Sequence, residues 1–458
     1  MQHELQDFLL AHPELRFVDL LLHDINGVDR GKRVDVAALP ATFARGLLLP
    51  GSMFALDVQG GTVQATGLGF DEGDADRPCL PVPGTLVEVP WQDHGVAQAQ
   101  VTMHEPDGRP FFADPRHLLA AVLARFARAG LTPVVAIELE FYLVDPERDA
   151  QGMPQPPCGP LTGRREFRTQ INSMTDLDEY SAVLADIDTV CRAQRVPATS
   201  ALAEYGPGQF EVNLAHGADA LAACDQAARF KRIVKSVSRR HGMDATFMAK
   251  PYADMAGSGL HLHVSLLDAA GRNIFSDERP HGSEALLQAI AGTLATAADG
   301  MALFAPNANS WRRFRPEAYV PLHAAWSINN RGTALRIPAS DAANRRLEHR
   351  IAGADANPYL VMAWVLAGVL HGLEAGRLPP PPTEGNAYRQ AGAQADSCAE
   401  ALPRHWPVAI DRFAASDFAA QVFGPAFRQL FATVKQAELD DFAGHVTPRE
   451  CALYLAPL

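Results

Sequence analysis

Residues 136–144 read Ala-Ile-Glu-Leu-Glu-Phe-Tyr-Leu-Val. Apolar residues alternate with Glu138 and Glu140, the period of a β-strand, so both carboxylates point to one sheet face while the other face is greasy. Two carboxylates side by side repel unless a cation or water lies between them. A hard metal ion resolves that conflict; an exposed edge strand with a solvated acidic face is the plain alternative.

Working outward, AEYGPGQFEVN (203–213) carries Glu204 and Glu211 on either side of a Gly-Pro-Gly turn that can fold them toward one point. GSGLHLHVSL (257–266) sets His261 and His263 on one strand face after a flexible glycine entry. RRLEHRI (345–351) sets Glu348 beside Arg350. Each segment alone reads as a loop, a core histidine pair or a surface ion pair. Together, five carboxylates and an imidazole match what two neighbouring magnesium or manganese ions require, since hard cations take oxygen ligands. Arg313, Arg331, Arg336, Arg346 and Arg350 add guanidinium forks suited to carboxylate and phosphate oxygens. Such a set points to nucleotide chemistry.

Around these segments the chain has two styles. From Phe17 to about Thr102, short β-rich pieces (FVDLLLHD, MFALDV, GTLVEV, AQAQVTM) alternate with Gly, Pro and Asp turns. After HEPDGRPFFADP, Asp114 can cap and Pro115 can begin a helix that stops at Gly130. We therefore expect an α+β protein with a sheet-rich unit at 1–108 and a larger unit at 109–458. Leu378 to Pro382 breaks the chain before a helical tail that packs on the main body.

The 458 residues are 47% apolar and 20% charged with a net charge of −13, which argues for a folded soluble chain and against a nucleic-acid surface. Cys79, Cys158, Cys191, Cys224, Cys398 and Cys451 form no CxxC pair, so reduced thiols and a cytoplasmic setting are expected. The start, MQHELQDFLLAHPELRF, reads as a first helix rather than a signal peptide, and Tyr359 to Leu370 is too short to span a bilayer. No membrane partner is expected. A P-loop, a dinucleotide-binding GxGxxG and a GxSxG elbow are all missing; Gly27 to Arg33 has the wrong spacing and lacks the hydroxyl that would hold magnesium.

The segments ELEF, EYGPGQFEVN, GSGLHLHVSL, NSWRRF, NNRGTALRIP and RRLEHRIAGADANPYL occur in an order and spacing that resemble the glutamine synthetase superfamily. The resemblance implies an N-terminal β-grasp domain and a catalytic domain whose curved antiparallel sheet lines a funnel, ATP entering one end and glutamate the other. It implies that Glu140, Glu204 and Glu211 hold one metal ion, and Glu138, His261 and Glu348 the one carried with ATP. His263, Ser265, Arg336 and Arg346 match nucleotide contacts; Arg313, Gly257 and His261 match the glutamate site; Arg331 and Arg350 match the arginines at the transferred phosphoryl group and γ-carboxylate. The implied reaction makes γ-glutamyl phosphate, then an amide. It also implies a homo-oligomer, expected to be a dodecamer, with each site shared between subunits.

Where glutamine synthetases carry a flap acid, this chain reads EAYVP and has Tyr319; where they carry an ammonium-binding aspartate, Asp57 is a loose substitute. Ala256 stands in place of a glutamate-contacting asparagine, and no adenylylation tyrosine motif is seen. The pattern most resembles γ-glutamylpolyamine or γ-glutamylputrescine synthetases. Asp57, Glu317 and Tyr319 are candidates for deprotonating the amine, with His323 and Trp326 as possible walls for its alkyl chain. The alternatives are glutamine synthetase using ammonia, a ligase for a monoamine such as ethanolamine, a dead relative, which should have lost metal ligands, and a metal-dependent amidohydrolase, which would not need so many arginines.

Overall fold

A computed structural model describes residues 2–168, 170–390 and 400–457; Cys398 lies outside the described residues. Two sheets organise the chain. The first comprises β1 (Phe17–His23), β2 (Asp29–Asp35), β3 (Leu47–Pro50), β4 (Asp76–Pro81), β5 (Val87–Glu88) and β6 (Val96–Met103), in the order β2-β1-β6-β4-β3 with β5 on β6. Its central pair, β1 and β6, is parallel and its other pairs are antiparallel.

The second sheet comprises β7 (Thr132–Val144), β8 (Ala198–Ala203), β9 (Gln209–Leu214), β10 (Asp244–Thr246), β11 (Leu260–Leu267), β12 (Trp326–Ile328), β13 (Leu335–Ile337) and β14 (Leu347–His349). Its order is β12-β13-β14-β11-β7-β9-β8, with β10 on the end of β7. The Glu138–Glu140 strand is thus central, and the edge-strand alternative falls. Along β7, Ile137, Leu139 and Phe141 are fully buried while Glu138 and Glu140 are half-buried, the alternation of a sheet with one packed and one polar face. The sheet is antiparallel except where β12 runs parallel to β13.

Helices cover the packed face. Asp114 accepts a hydrogen bond from the Arg116 amide and Pro115 opens helix Pro115–Arg128, as the sequence suggested. Asn357 likewise caps helix Pro358–Ala375 by accepting from the Tyr359 and Leu360 amides. Among the described residues this is the one helix long and apolar enough to cross a membrane, and 78% of it is buried within the fold. It crosses helix Glu284–Ala297 so closely that a Cβ at Gly292 would stand 2.2 Å from the Gly372 nitrogen, so neither position tolerates a side chain.

Two expected strand pieces are corrected. Gly51–Phe54 is a short 3-10 turn, with Phe54 fully buried against Phe111 at 5.5 Å between ring centroids. An apolar run this short has no periodicity to distinguish strand from turn. In GTLVEV only Val87–Glu88 pairs. The helical tail packs back on the first sheet's unit: Glu438 accepts from the Val58 amide at 2.8 Å, and the buried Lys435 donates to Asn26 Oδ1 at 2.5 Å.

Candidate active site

Strand register builds the site. Across the sheet, Arg336 faces Glu348, which faces His263; one step along, His261 faces Glu138; one step further, Glu140 faces Glu211. Cross-strand neighbours on one face lie about 5 Å apart, so these three rows form a continuous polar floor. Glu204 joins from the turn after β8, where its amide donates to the Gln209 carbonyl. The floor opens into a cavity of about 550 Å³ lined by Glu138, Glu140, Glu204, Glu211, His261 and His263 together with Gly257, Arg313, Tyr319, Arg331, Arg336, Arg346 and Arg350.

Potential ligand atoms of Glu140, Glu204 and Glu211 all lie within 4.8 Å of one another. Glu140 accepts from the Gly259 amide at 2.8 Å and Glu211 from Asn213 Nδ2 at 3.0 Å. Burial, then the neighbouring carboxylates, pushes Glu204 up to about 7 and Glu211 up to about 8. Three carboxylates gathered this closely suit a hard divalent cation, whose charge would relieve their repulsion.

The neighbouring groups are Glu138–Glu211–His261 and Glu138–His263–Glu348. It is therefore His263 that sits with Glu138 and Glu348 here, while His261 sits with Glu138 and Glu211. Arg346 Nε donates to His263 Nδ1 at 3.1 Å, and since a guanidinium only donates, His263 Nε2–H donates to Glu138 at 2.8 Å. Burial opposes ionisation of Glu138, but hydrogen bonds from His261 and His263 outweigh it and hold the carboxyl well below its usual range. Glu348, 1% exposed, is clamped by Arg336 at 2.7 Å and by Arg350. Burial again opposes ionisation, yet Arg350, the two histidines and Arg336 bring Glu348 down to about 2. Oxygen and imidazole donors also fit a divalent ion here, with two arginines as rivals for Glu348.

Arg313 is 4% exposed; one terminal nitrogen donates to the Ile351 carbonyl at 3.2 Å and its Nε has no partner. A buried guanidinium facing a cavity with an unmet donor is complementary to a carboxylate. Gly257 permits the approach, since a Cβ there would stand 2.7 Å from Arg313 Cγ. Arg350 Nε donates to the Arg331 carbonyl at 3.2 Å, tying two of the arginines together.

Several expected residues lie elsewhere. Asp57 lines a separate cavity beside Glu438 and Trp406, and its carboxylate accepts from the Gln59 and Gly61 amides of its own loop. Trp326 is buried with its indole N–H donating to the Pro380 carbonyl, and His323 bridges to Ala401; neither lines the site. Ser265 follows His261 and His263 along β11 but is not among the lining residues. Glu317 is exposed, in the loop that carries Tyr319. Conversely, Tyr205 and Asn213 line the cavity without belonging to the acid, histidine and arginine pattern of the sequence. Tyr205 directly follows Glu204 and Asn213 stands two residues after Glu211, so both shared segments already marked as acidic.

Comparison with known proteins gives a consistent set. Residues 112–454 match the family of the glutamine synthetase catalytic domain. The chain is 42% identical over 447 residues to a γ-glutamylputrescine synthetase of Escherichia coli, covering 98% of this chain and 93% of that one. It is 32% identical to a glutamate–isopropylamine ligase of a Pseudomonas species, covering 99% and 97%. A solved GmaS–ADP complex superposes with a TM-score of 0.85 at 30% identity, covering 98% of this chain and 99% of that one.

Proposed function

The chain belongs to the glutamine synthetase family and is a glutamate–amine ligase, and from that premise we propose that it joins the γ-carboxylate of glutamate to putrescine or a related polyamine, using ATP and forming γ-glutamyl phosphate on the way. The observation that carries the choice of acceptor is Tyr319, which lines the cavity at the position where ammonia-using relatives are expected to carry an acid. The 42% identity to a γ-glutamylputrescine synthetase supports the same reading.

In this reading Glu140, Glu204 and Glu211 would hold one Mg²⁺ or Mn²⁺, and Glu138 and Glu348 with His261 or His263 a second. Bound there, the ions would neutralise phosphate charge. Arg313 binds the glutamate α-carboxylate, and Arg336 and Arg346 bind nucleotide phosphates. Arg331 and Arg350 hold the transferred phosphoryl group and the γ-carboxylate in line, so that positioning and charge stabilisation, rather than covalent catalysis, lower the barrier. The γ-carboxylate oxygen attacks the terminal phosphorus and ADP leaves; the amine nitrogen then attacks the γ-carbonyl and phosphate leaves. An alkylammonium, with a pKa of ~10.4, must first lose a proton. Tyr319 is the candidate that lines this cavity; Asp57, remote within its own chain, could serve only a neighbouring subunit. Residues 109–458 form the catalytic unit in this reading, and the chain works as a homo-oligomer of shared sites.

The test is phosphate release with glutamate and ATP across putrescine, longer polyamines, ethanolamine, isopropylamine and ammonium. Preference for diamines supports the proposal. Equal efficiency with ammonium would make the protein a glutamine synthetase, and preference for a monoamine would move it to that branch.

A further inference from the structure

Tyr319 lines not only the carboxylate cavity but also an adjoining one of about 770 Å³, whose walls include Ser327, Asn329, Asn330, Thr383 and Glu384. The two cavities share Tyr319, Arg331 and Arg336. At this junction the Tyr319 ring stacks on Tyr205, with 6.1 Å between centroids and 24° between planes. Tyr319 is 53% exposed, so one ring face remains free for a ligand.

Both rings are held from behind. Tyr319 and Glu317 adopt left-handed backbone angles, with φ of 53° and 60°, a conformation that costs a non-glycine residue about 1 kcal/mol or more and persists only where surroundings enforce it. One such restraint is Tyr388, whose hydroxyl donates to the Val320 carbonyl at 3.1 Å. On the other side, the turn carrying Tyr205 rests on Tyr142: a Cβ at Gly206 would stand 2.1 Å from the Tyr142 hydroxyl, which itself donates to the Ala256 carbonyl at 2.9 Å. The turn has no room to sink inward.

We propose that Tyr205 and Tyr319 form the acceptor-selecting wall of the site, the alkyl chain of a primary amine lying along the Tyr205 ring and its distal ammonium over Tyr319 at the mouth of the second cavity. The inference rests on the ligase reading above and adds to it the residues that choose the acceptor. With the reacting nitrogen at the γ-carbonyl, putrescine leaves four methylenes and a second cation to be accommodated, and aromatic faces accept both. Ammonium is too small to reach from the arginine cluster to the paired rings, so it gains nothing from them.

The experiment compares kcat/KM for putrescine and for ammonium, followed by ADP formation, in the wild type, Tyr205→Ala and Tyr205→Phe. In Tyr205→Ala the putrescine-to-ammonium ratio should fall about tenfold, the scale of about two methylenes losing their apolar cover. Tyr205→Phe should keep the wild-type ratio. Because both constants come from the same preparation, a partly misfolded variant lowers them together and leaves the ratio readable. Should Tyr205→Ala turn over nothing, putrescine binding to protein loaded with glutamate and a non-hydrolysable ATP analogue gives the same comparison, with about tenfold weakening expected. An unchanged ratio or affinity in Tyr205→Ala, or an equal loss in Tyr205→Phe, overturns the wall. Wild-type protein that turns over ATP at the same rate with and without amine and forms no amide overturns the ligase reading instead, and this inference with it.

Discussion

Replacing Glu348 by Leu should be among the most damaging single changes in this protein, and its cost can be worked from its partners. The side chain is 1% exposed and ion-paired with Arg336 at 2.7 Å and with Arg350, whose side chain is itself 5% exposed. Removing one member of a buried ion pair costs about 3–5 kcal/mol, chiefly because the surviving charge is left without a partner. With two guanidiniums stranded, Glu348→Leu belongs at the upper end of that range. Urea denaturation of the metal-free protein should show its midpoint lowered by roughly 1 M or more, taking about 3 kcal/mol per M for a large chain. The double variant Glu348→Leu with Arg336→Leu should recover part of the loss, since one stranded charge has gone, while remaining inactive. A loss under about 1 kcal/mol in the single variant, or a double variant that adds the full cost of both changes, would refute the buried-clamp account.

Glu204 and Glu211 bind protons more tightly in the folded chain than in the unfolded one, so metal-free protein should lose stability as pH rises above the ordinary value of 4.5, the loss being complete above about 8. For Glu204 alone, a rise from 4.5 to about 7 corresponds to about 3 kcal/mol; thermal melts between pH 5 and 8 should show the decline, and saturating Mg²⁺ should flatten it. Arg313→Met should raise the glutamate KM by roughly 30-fold or more, the equivalent of about 2 kcal/mol for a buried charge-assisted contact, with little change in the KM for ATP. Gly257→Ala should do the same in milder form, because its Cβ would lie 2.7 Å from Arg313 Cγ and 2.8 Å from the Ala249 carbonyl; an unchanged glutamate KM would remove Arg313 from the substrate site.

Features governed by local patterns were legible in the sequence, and features governed by long-range pairing were not. The alternation around Glu138 and Glu140 is set within one strand, and Asp114 with Pro115 marks a helix start from neighbouring residues alone. By contrast, His261 and His263 share one strand face, so the sequence does not say which of them meets Glu348; that follows from the register of β11 against β14. Trp326 has the composition of a pocket wall, yet its indole is committed to a carbonyl 54 residues away. Asp57 stands apart from its own chain's cavity because a loop residue's position depends on where its whole unit docks, and the Val58–Glu438 contact holds that loop against the tail. Tyr205 carries no local mark in the sequence, because its partner Tyr319 is more than a hundred residues distant along the chain but stacked on it in space.

The central claim is that the clustered acids and arginines activate the glutamate γ-carboxylate by phosphorylation before an amine attacks. The most direct measurement starts from glutamate labelled with oxygen-18 in the γ-carboxylate, with ATP, Mg²⁺ and putrescine, and follows the label in the released phosphate by mass spectrometry. The account predicts one labelled oxygen transferred to phosphate for every amide formed. Amide formed while the released phosphate carries no label would contradict it.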